Sequence, residues 1–433
     1  MTTSTAPAPR AAHPVPSDRP VVIVDGYSNA SALVSAFAAA GHPAVHVLST
    51  AEPRPAMIPP RAEDYRESLV CPDASAFEAT VARLAALAPV AVVAGQEPGV
   101  PLADALAERL GLPGNGTALS AARRDKFRMI EALRAAGIRC AEQFKADTAE
   151  AVVGWARARA DYPVVVKPLS SASSDNVYIC HDEAEVESAA HRVLAGTSMF
   201  AERNTEVLVQ SFLPGTEYCV DSVSADGHSF VAAVWEYEKN VVDGGRKIYD
   251  RDVLRDPDAE PVPALVAYVR RVLDALGIRH GASHAEVIMT PQGPALVEVG
   301  ARFNGAMQPD FYDHVLGTNP AALVARALLE PEDFARRFGG RVYRPRLAAA
   351  VYESPTALDG VVDSVDESVV DRIAALPTVH SVVVRSAPGR RIRPTVDLLS
   401  SPLRLFMAGA DQEELRRDRE VVDTLKDRVY RLR

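Results

Sequence analysis

The chain has 433 residues, 47 Lys+Arg against 57 Asp+Glu, a net charge of −10 and 48% hydrophobic residues. That length calls for two or three folded units, and the composition is that of a folded chain, not a disordered one. The acidic balance argues against nucleic acid or an anionic membrane as the main partner, and no run of about 18 apolar residues reads as a transmembrane helix.

Residues 1–20 are rich in Pro, Ala and Ser and lack an apolar h-region, so they read as a disordered tail rather than a signal peptide. From residue 21 strands and helices alternate. VVIVDG (21–26), AVHVL (44–48) and VAVVAG (90–95) are buried-strand runs, and SALVSAFAAAG (31–41), FEATVARLAALA (77–88) and PLADALAERLG (101–111) have helical spacing. This pattern predicts a parallel α/β domain over 21–115. It carries no phosphate fingerprint. The turn DGYSNAS (25–31) is an ordinary βα turn or a weak anion site. Next comes a helix capped by Ser120 or Asp125, with Phe127, Ile130, Leu133 and Ala136 as its stripe and Gly137 closing it.

PVVVKP (163–168) reads as a strand, LSSASSDN (169–176) as a small-residue loop and VYIC (177–180) as a strand; a helix covers about 182–195. EVLVQSF (206–212) is a strand before the turn LPG. Asp226-Gly227 marks a tight hairpin between EYCVDSVS (217–224) and SFVAAVWEYE (229–238). Helix 263–277 follows, then a second hairpin, SHAEVIMT (283–290) and ALVEVG (295–300). The stretch from about 345 to 433 reads as a small α+β cap ending in an amphipathic helix from about 411. The four cysteines, Cys71, Cys140, Cys180 and Cys219, have no C-x-x-C spacing. Neither a disulfide framework nor a zinc site is expected, and a reducing cytoplasm fits.

The second hairpin carries the chemistry. With its turn near Gln292–Gly293, antiparallel pairing sets Glu286 opposite Glu298 or one residue away. Like charges so placed are destabilising. They are either a solvated pair or the ligands of a cation. Apolar Val287, Ile288, Leu296 and Val297 beside them favour the cation, and two hard oxygen donors suit magnesium. His284 alternates onto the same face, as a structural group or a ligand. Arg302 is either a salt-bridge partner of the two carboxylates or a clamp for a phosphoryl oxygen.

Only six of the 47 basic residues are Lys: 126, 145, 167, 239, 247 and 426. Lys167 ends an apolar strand before Ser170, Ser171, Ala172, Ser173 and Ser174, whose amides and hydroxyls suit phosphate oxygens. Lys126 opens a helix, where a cation is unfavourable unless an anion sits beside it. Lys239, Arg246 and Lys247, in EYEKNVVDGGRKIYDRD (236–252), either bind a substrate carboxylate or belong to a solvated loop.

The blocks 123–138, 162–177, 207–224 and 284–305, in that order and spacing, resemble the ATP-grasp superfamily. They are most similar to carboxylate–amine ligases of the L-amino-acid ligase kind. The resemblance implies an N-terminal α/β domain over 21–115, an ATP-grasp fold of two α+β lobes over 116–205 and 206–344 that sandwich ATP, and a C-terminal α+β cap over 345–433. It implies that Lys126 and Lys167 hold ATP phosphates and that Ser170–Ser174 close over them. Gln210, Ser211, Phe212 and Leu213 would receive adenine, and Glu217 the ribose hydroxyls. Glu286 and Glu298 would bind Mg²⁺ (or Mn²⁺). Arg302 and the amide of Gly305 would hold the acyl phosphate and oxyanion, while Asn304, Ala306 and Met307 follow as pocket walls.

Many members read Glu-x-Asn-x-Arg, and here that Asn position is Gly300. Either water holds the second metal, or Asn304 substitutes, or metal use differs. The implied activity is an ADP-forming ligase of specialised metabolism that joins a small-molecule carboxylate to an amine through an acyl phosphate, without nucleic acid or membrane, with a homodimer as the usual assembly. The alternatives are a bicarbonate-using carboxylating enzyme of the superfamily and a non-catalytic ATP-binding regulator.

Overall fold

The computed structural model describes residues 18–52, 54, 57–171, 176–198, 203–242, 246–396, 398 and 400–433. Most of the expected tail therefore lies outside the described residues. The first layer is a parallel sheet in the order β3-β2-β1-β4, formed by β1 (Val21–Val24), β2 (Ala44–Leu48), β3 (Glu67–Val70) and β4 (Ala91–Ala94). Helix α1 (Ser31–Ala39) connects β1 to β2, α2 (Ala74–Leu87) connects β3 to β4, and α3 (Val100–Arg109) follows β4. The strand β3 was not expected. It is an edge strand of mixed polarity, ESLV, and carries no buried run. The helix α2 starts three residues before the expected point because the Asp73 carboxylate accepts the amides of Ser75 and Ala76.

Helix α4 (Lys126–Ala135) is capped by Asp125, whose carboxylate accepts the Arg128 amide at 2.9 Å. A four-stranded antiparallel sheet follows in the order β5-β8-β6-β7, made of β5 (Gln143–Ala146), β6 (Val164–Pro168), β7 (Tyr178–Cys180) and β8 (Val207–Ser211). Helices α5 (Ala149–Arg159) and α6 (Glu183–Ala195) pack on one side of it around Val152, Ala156, Val186 and Val193.

The third sheet is eight-stranded and antiparallel, in the order β13-β12-β9-β10-β11-β14-β18-β16. It contains β9 (Thr216–Ala225), β10 (His228–Val242), β11 (Arg246–Leu254), β12 (Gly281–Thr290) and β13 (Gly293–Gly300), with helix α7 (Val262–Ala275) between β11 and β12. The solvated-loop reading of 236–252 is corrected here. Most of that stretch is the continuation of β10 and its partner β11, paired from Val242↔Arg246 to Trp235↔Leu254. Its alternating charges belong to strand faces, not to a coil.

Helices α8 (Pro309–Leu316), α9 (Pro320–Leu329) and α10 (Pro331–Phe338) lead to β14 (Ala348–Tyr352), which pairs with β11. The remaining elements are β15 (Gly360–Val365), α11 (Glu367–Ala374), β16 (Val379–Val384), β17 (Arg391–Ile392), β18 (Leu403–Gly409), α12 (Gln412–Leu425) and β19 (Tyr430–Leu432). The C-terminal segment thus lends β14, β18 and β16 to the large sheet and closes a three-stranded sheet, β17-β15-β19, of its own. All four cysteines are free, and no helix among the described residues is long and apolar enough to cross a membrane.

A buried guanidinium ties the first layer to the rest. Arg123 is fully buried; it donates to Asp104 of α3 at 2.9 and 3.2 Å, to the Leu276 carbonyl at 2.8 Å, and to the carbonyls of Asn115 and Gly116. Burial raises the Asp104 carboxyl above its ordinary value, and Arg123 opposes that rise. Arg123→Ala strands this carboxylate, so chemical denaturation is expected to show a loss of about 3–5 kcal/mol.

The first layer also carries an acid-sensitive group. His46 Nε2 accepts the Gly26 amide at 3.0 Å, so the ring must be neutral there. Burial lowers its pKa from 6.5 to about 4, against the pull of Asp25. The folded chain therefore favours the neutral ring. The contribution is complete above the unfolded value and is lost as pH falls towards 4, up to about 3 kcal/mol. Thermal melts from pH 7 to 4.5 are expected to show the advantage of wild type over His46→Gln shrinking as pH falls.

Candidate active site

The hairpin β12–β13 turns at Pro291–Gln292, with Thr290 paired to Gly293. A register shift between Glu286 and Val287 then sets Glu286 directly opposite Glu298. The neighbouring β9 pairs Cys219 with Glu286, Asp221 with His284 and Glu217 with Ile288. Because side chains alternate along a strand, Glu217, Cys219, Asp221, His284, Glu286 and Glu298 share one face of the large sheet. Three carboxylates and a histidine that the sequence reading singled out are thereby brought together.

Cations face this surface from the other elements. The Lys126 ammonium forms an ion pair with Glu298 and donates to the Ser171 carbonyl at 2.7 Å, while its own amide donates to the Leu169 carbonyl at 3.0 Å. That explains a lysine at a helix start: Glu298 and the 169–171 segment offset the unfavourable dipole. Lys167, buried at the end of β6, points its charge at the same group. Burial and the nearby Lys126 push it down to about 8, while Glu298, Glu286 and Glu217 pull the other way.

His284 is buried between acids. Its Nδ1 lies 2.8 Å from Asp221 Oδ1 and 3.0 Å from Cys219 Sγ, and its Nε2 lies 3.6 Å from Glu286 Oε1. Burial opposes the charged ring, but Cys219, Asp221 and Glu286 together hold its pKa well above the ordinary value. For Glu286 burial works against ionisation, and His284, Lys239 and Lys126 overcome it and hold the carboxyl at about 2. Asp221 further accepts the Tyr312 hydroxyl at 3.3 Å. Cys219, Asp221 and His284 have ligand atoms within 4.8 Å of one another, and their contacts are those of hydrogen-bonded partners that orient the ring.

Among the residues expected to receive adenine, Gln210 is buried on β8 and donates to Gln143 Oε1 at 3.0 Å. Ser211 closes β8, and Phe212 and Leu213 lie half-buried in the link that passes from the four-stranded to the eight-stranded sheet. In the same link, a Cβ on Gly215 (φ +151°) would stand 2.1 Å from the Met289 carbonyl, so only glycine fits there. Glu217 accepts Lys239 at 2.7 Å, and Lys239 also lies 4.2 Å from the centre of the Tyr249 ring. Lys239 thus sits beside Glu217, on the side of the expected ribose contact. Burial raises Glu217 above the usual carboxylate range despite that partner. Ser173, Ser174 and the side chains of Arg246 and Lys247 lie outside the described ones.

Arg302 lies half-buried past β13. Its Nε donates to Glu97 Oε2 at 2.9 Å and its Nη1 to the Phe303 carbonyl. Asn304 is spent locally: its Oδ1 accepts the Ala306 amide at 2.7 Å, and its carbonyl accepts Asn29 Nδ2 at 2.6 Å. Gly305 is exposed and its ideal Cβ position is open, whereas Met307 is buried in the main core and offers little surface to a ligand. The sequence reading missed Asp221 and Glu97. Strand alternation from Glu217 and the pairing to His284 would have found Asp221. Nothing local marks Glu97, which comes from the first layer.

The donor set fits a hard divalent cation. Two opposed carboxylates already attract an ammonium, and the thiol beside them is raised by burial rather than poised as a thiolate.

Comparison with known proteins agrees with this geometry. Residues 160–310 match the family described as ATP-grasp domain. The dapdiamide A synthase of Enterobacter agglomerans is 34% identical over 389 residues, covering 88% of this chain and 90% of that one. The alanine–anticapsin ligase of Bacillus subtilis (strain 168) is 26% identical over 251 residues, 54% of this chain and 52% of that one. In fold, the chain resembles the L-amino acid ligase from Bacillus licheniformis with a TM-score of 0.73 at 21% identity, over 96% of this chain and 98% of that one.

Proposed function

The chain belongs to the ATP-grasp ligases, and we propose that it joins an amino-acid carboxylate to an amine, forming an amide or dipeptide with release of ADP and phosphate. The observation that carries this reading is the opposed pair Glu286–Glu298 faced by Lys126 and Lys167 from separate elements. Such a centre gathers cationic charge around a phosphate chain. The relatives named for joining substrates of this kind, dapdiamide A synthase and alanine–anticapsin ligase, support the substrate class.

In this reading a carboxylate oxygen attacks the γ-phosphorus of ATP, the bond to the bridging oxygen breaks, and ADP leaves. Lys167 and Lys126 hold phosphate oxygens, and Arg302 offers its guanidinium to the new acyl phosphate. Glu286 and Glu298 would hold Mg²⁺ (or Mn²⁺), which neutralises the charge developing on the phosphates. The amine then attacks the carbonyl carbon, the C–O bond breaks, and one carboxylate oxygen departs within phosphate. Of the two protons lost from the ammonium, one ends on phosphate and one in solvent. In this reading the Gly305 amide receives the oxyanion. Water must be kept out, because it hydrolyses an acyl phosphate.

Two measurements test the proposal. With Mg·ATP and pairs of amino acids, ADP release is expected to need both partners, and mass detection to find a product at their summed mass less water. With ¹⁸O in the carboxylate, label is expected in phosphate. ADP release that answers to bicarbonate instead of an amine would replace the ligase by a carboxylating enzyme. Glu298→Ala is expected to lower ATP turnover by at least about 100-fold, and full turnover in that variant would remove the metal assignment.

A further inference from the structure

Gly300 has a neighbour that explains its missing side chain. A Cβ built there would stand 2.5 Å from Glu97 Oε2 and 3.4 Å from Arg302 Nε. The Glu97 carboxylate therefore occupies the space that any side chain at position 300 would need. Glu97 belongs to the first layer, in the single turn Glu97–Gly99 that follows β4. It is 9% exposed, and it spans two guanidinium groups: Arg302 Nε at 2.9 Å on one oxygen and Arg124 Nη1 at 3.5 Å on the other. Arg124 in turn donates to Ser170 Oγ at 3.0 Å, at the start of the serine loop.

The surrounding contacts fix this turn in place. Gln96 Nε2 donates to Asn29 Oδ1 at 2.8 Å and to the Tyr27 carbonyl at 3.1 Å, and Asn29 Nδ2 grips the Asn304 carbonyl at 2.6 Å. The first layer thus holds the 302–304 segment at two points, one of them the Arg302 side chain. With Nε on Glu97 and Nη1 on the Phe303 carbonyl, Nη2 of Arg302 donates to no described residue. An arginine held along one edge presents its remaining N–H groups in a fixed direction.

We propose that Glu97 is a positioning residue, which aims the Arg302 guanidinium at the acyl phosphate, and that the bare Cα of Gly300 is what admits it. The inference rests on the ligase reading for the target of Arg302. It makes the first layer part of the chemistry: a carboxylate about 200 residues away in sequence sets the direction of the arginine. It also makes positions 97 and 300 one unit, since a side chain at 300 displaces the same carboxylate that Glu97→Gln neutralises.

That unity is the test. In full-length enzyme with Mg·ATP and the best amino-acid pair, Glu97→Gln and Gly300→Ala are each expected to lower kcat between about 10- and 100-fold. The KM for ATP should stay within about 3-fold, because both lysines remain in place. The double variant is expected to be no worse than the weaker single one, because the two changes break the same contact. Gly300→Ala keeps every charged group, and the closest atom it meets is the end of the Glu97 side chain, so it reports even where Glu97→Gln folds poorly; circular dichroism should show it folded at the assay temperature. A Gly300→Ala enzyme with wild-type kcat overturns the proposal, as does a double variant whose loss is the product of the two. Arg302→Lys separates this from the ligase reading. Undiminished ADP release in Arg302→Lys defeats the role of Arg302 in the ligase itself. Loss there beside unchanged kcat in Glu97→Gln defeats only the role of Glu97.

Discussion

The structure is organised around a repulsion. Glu286 and Glu298 stand opposite each other on adjacent strands, with Glu217 on the same face, and burial works against the charges of Glu217 and Glu286. Left alone, such a set is destabilising. Every cation near it comes from a different element: Lys126 from the start of α4, Lys167 from the end of β6, Lys239 from β10 and the His284 ring from β12. The carboxylates therefore bring the two sheets together only by way of charges that can also take phosphate. A protein core would be more stable without the set, which is why it reads as a functional centre.

His284 shows how the arrangement is buffered. Its ring lies between Asp221 and Glu286, and Asp221 is itself held by Tyr312 and Asn304. The ring keeps Glu286 ionised, and Asp221 keeps the ring charged and oriented. One strand step further, Lys239 pairs with Glu217 and opposes, without cancelling, the rise that burial imposes on it. Glu217, Glu286 and Glu298 thus face Lys239, His284 and Lys126 in turn, and Asp221 shares the His284 ring with Glu286.

How much of this could be read from the sequence follows the length scale of each signal. The α/β alternation of 21–115, the Asp226-Gly227 hairpin and the pairing of Glu286 with Glu298 are local, and periodicity with turn chemistry locates them. Even the displaced turn at Pro291–Gln292 left the carboxylates opposed, because the bulge after Glu286 compensates for it. The stretch 236–252 misled because its charges and glycines look like a loop, while its strand character comes from pairing with β9 and β14 on either side. Met307 misled for the opposite reason: next to Arg302 it looked like a pocket wall, but the start of α8 turns it into the core.

The two halves of the site differ in construction. One half, with Lys126, Lys167 and the opposed carboxylates, is carried by strands and by the start of one helix, with backbone contacts such as Lys126 to Leu169 and the close approach of Gly215 to Met289. The other half, around Arg302, is assembled from turns: 27–30 and 96–97 of the first layer, 302–306 after β13, and Gln308, which accepts Ser381 of β16 at 2.9 Å. Turns tolerate substitution better than paired strands. Residues on the turn-built side can therefore change without disturbing the strand-built side. In this chain the exchange reaches position 300, where the family pattern has an asparagine: the bare glycine there leaves its space to the Glu97 carboxylate, which comes from a turn of the first layer. The bond between Glu97 and Arg302 then couples the first layer to the segment that follows β13, so a change in either is felt by the other.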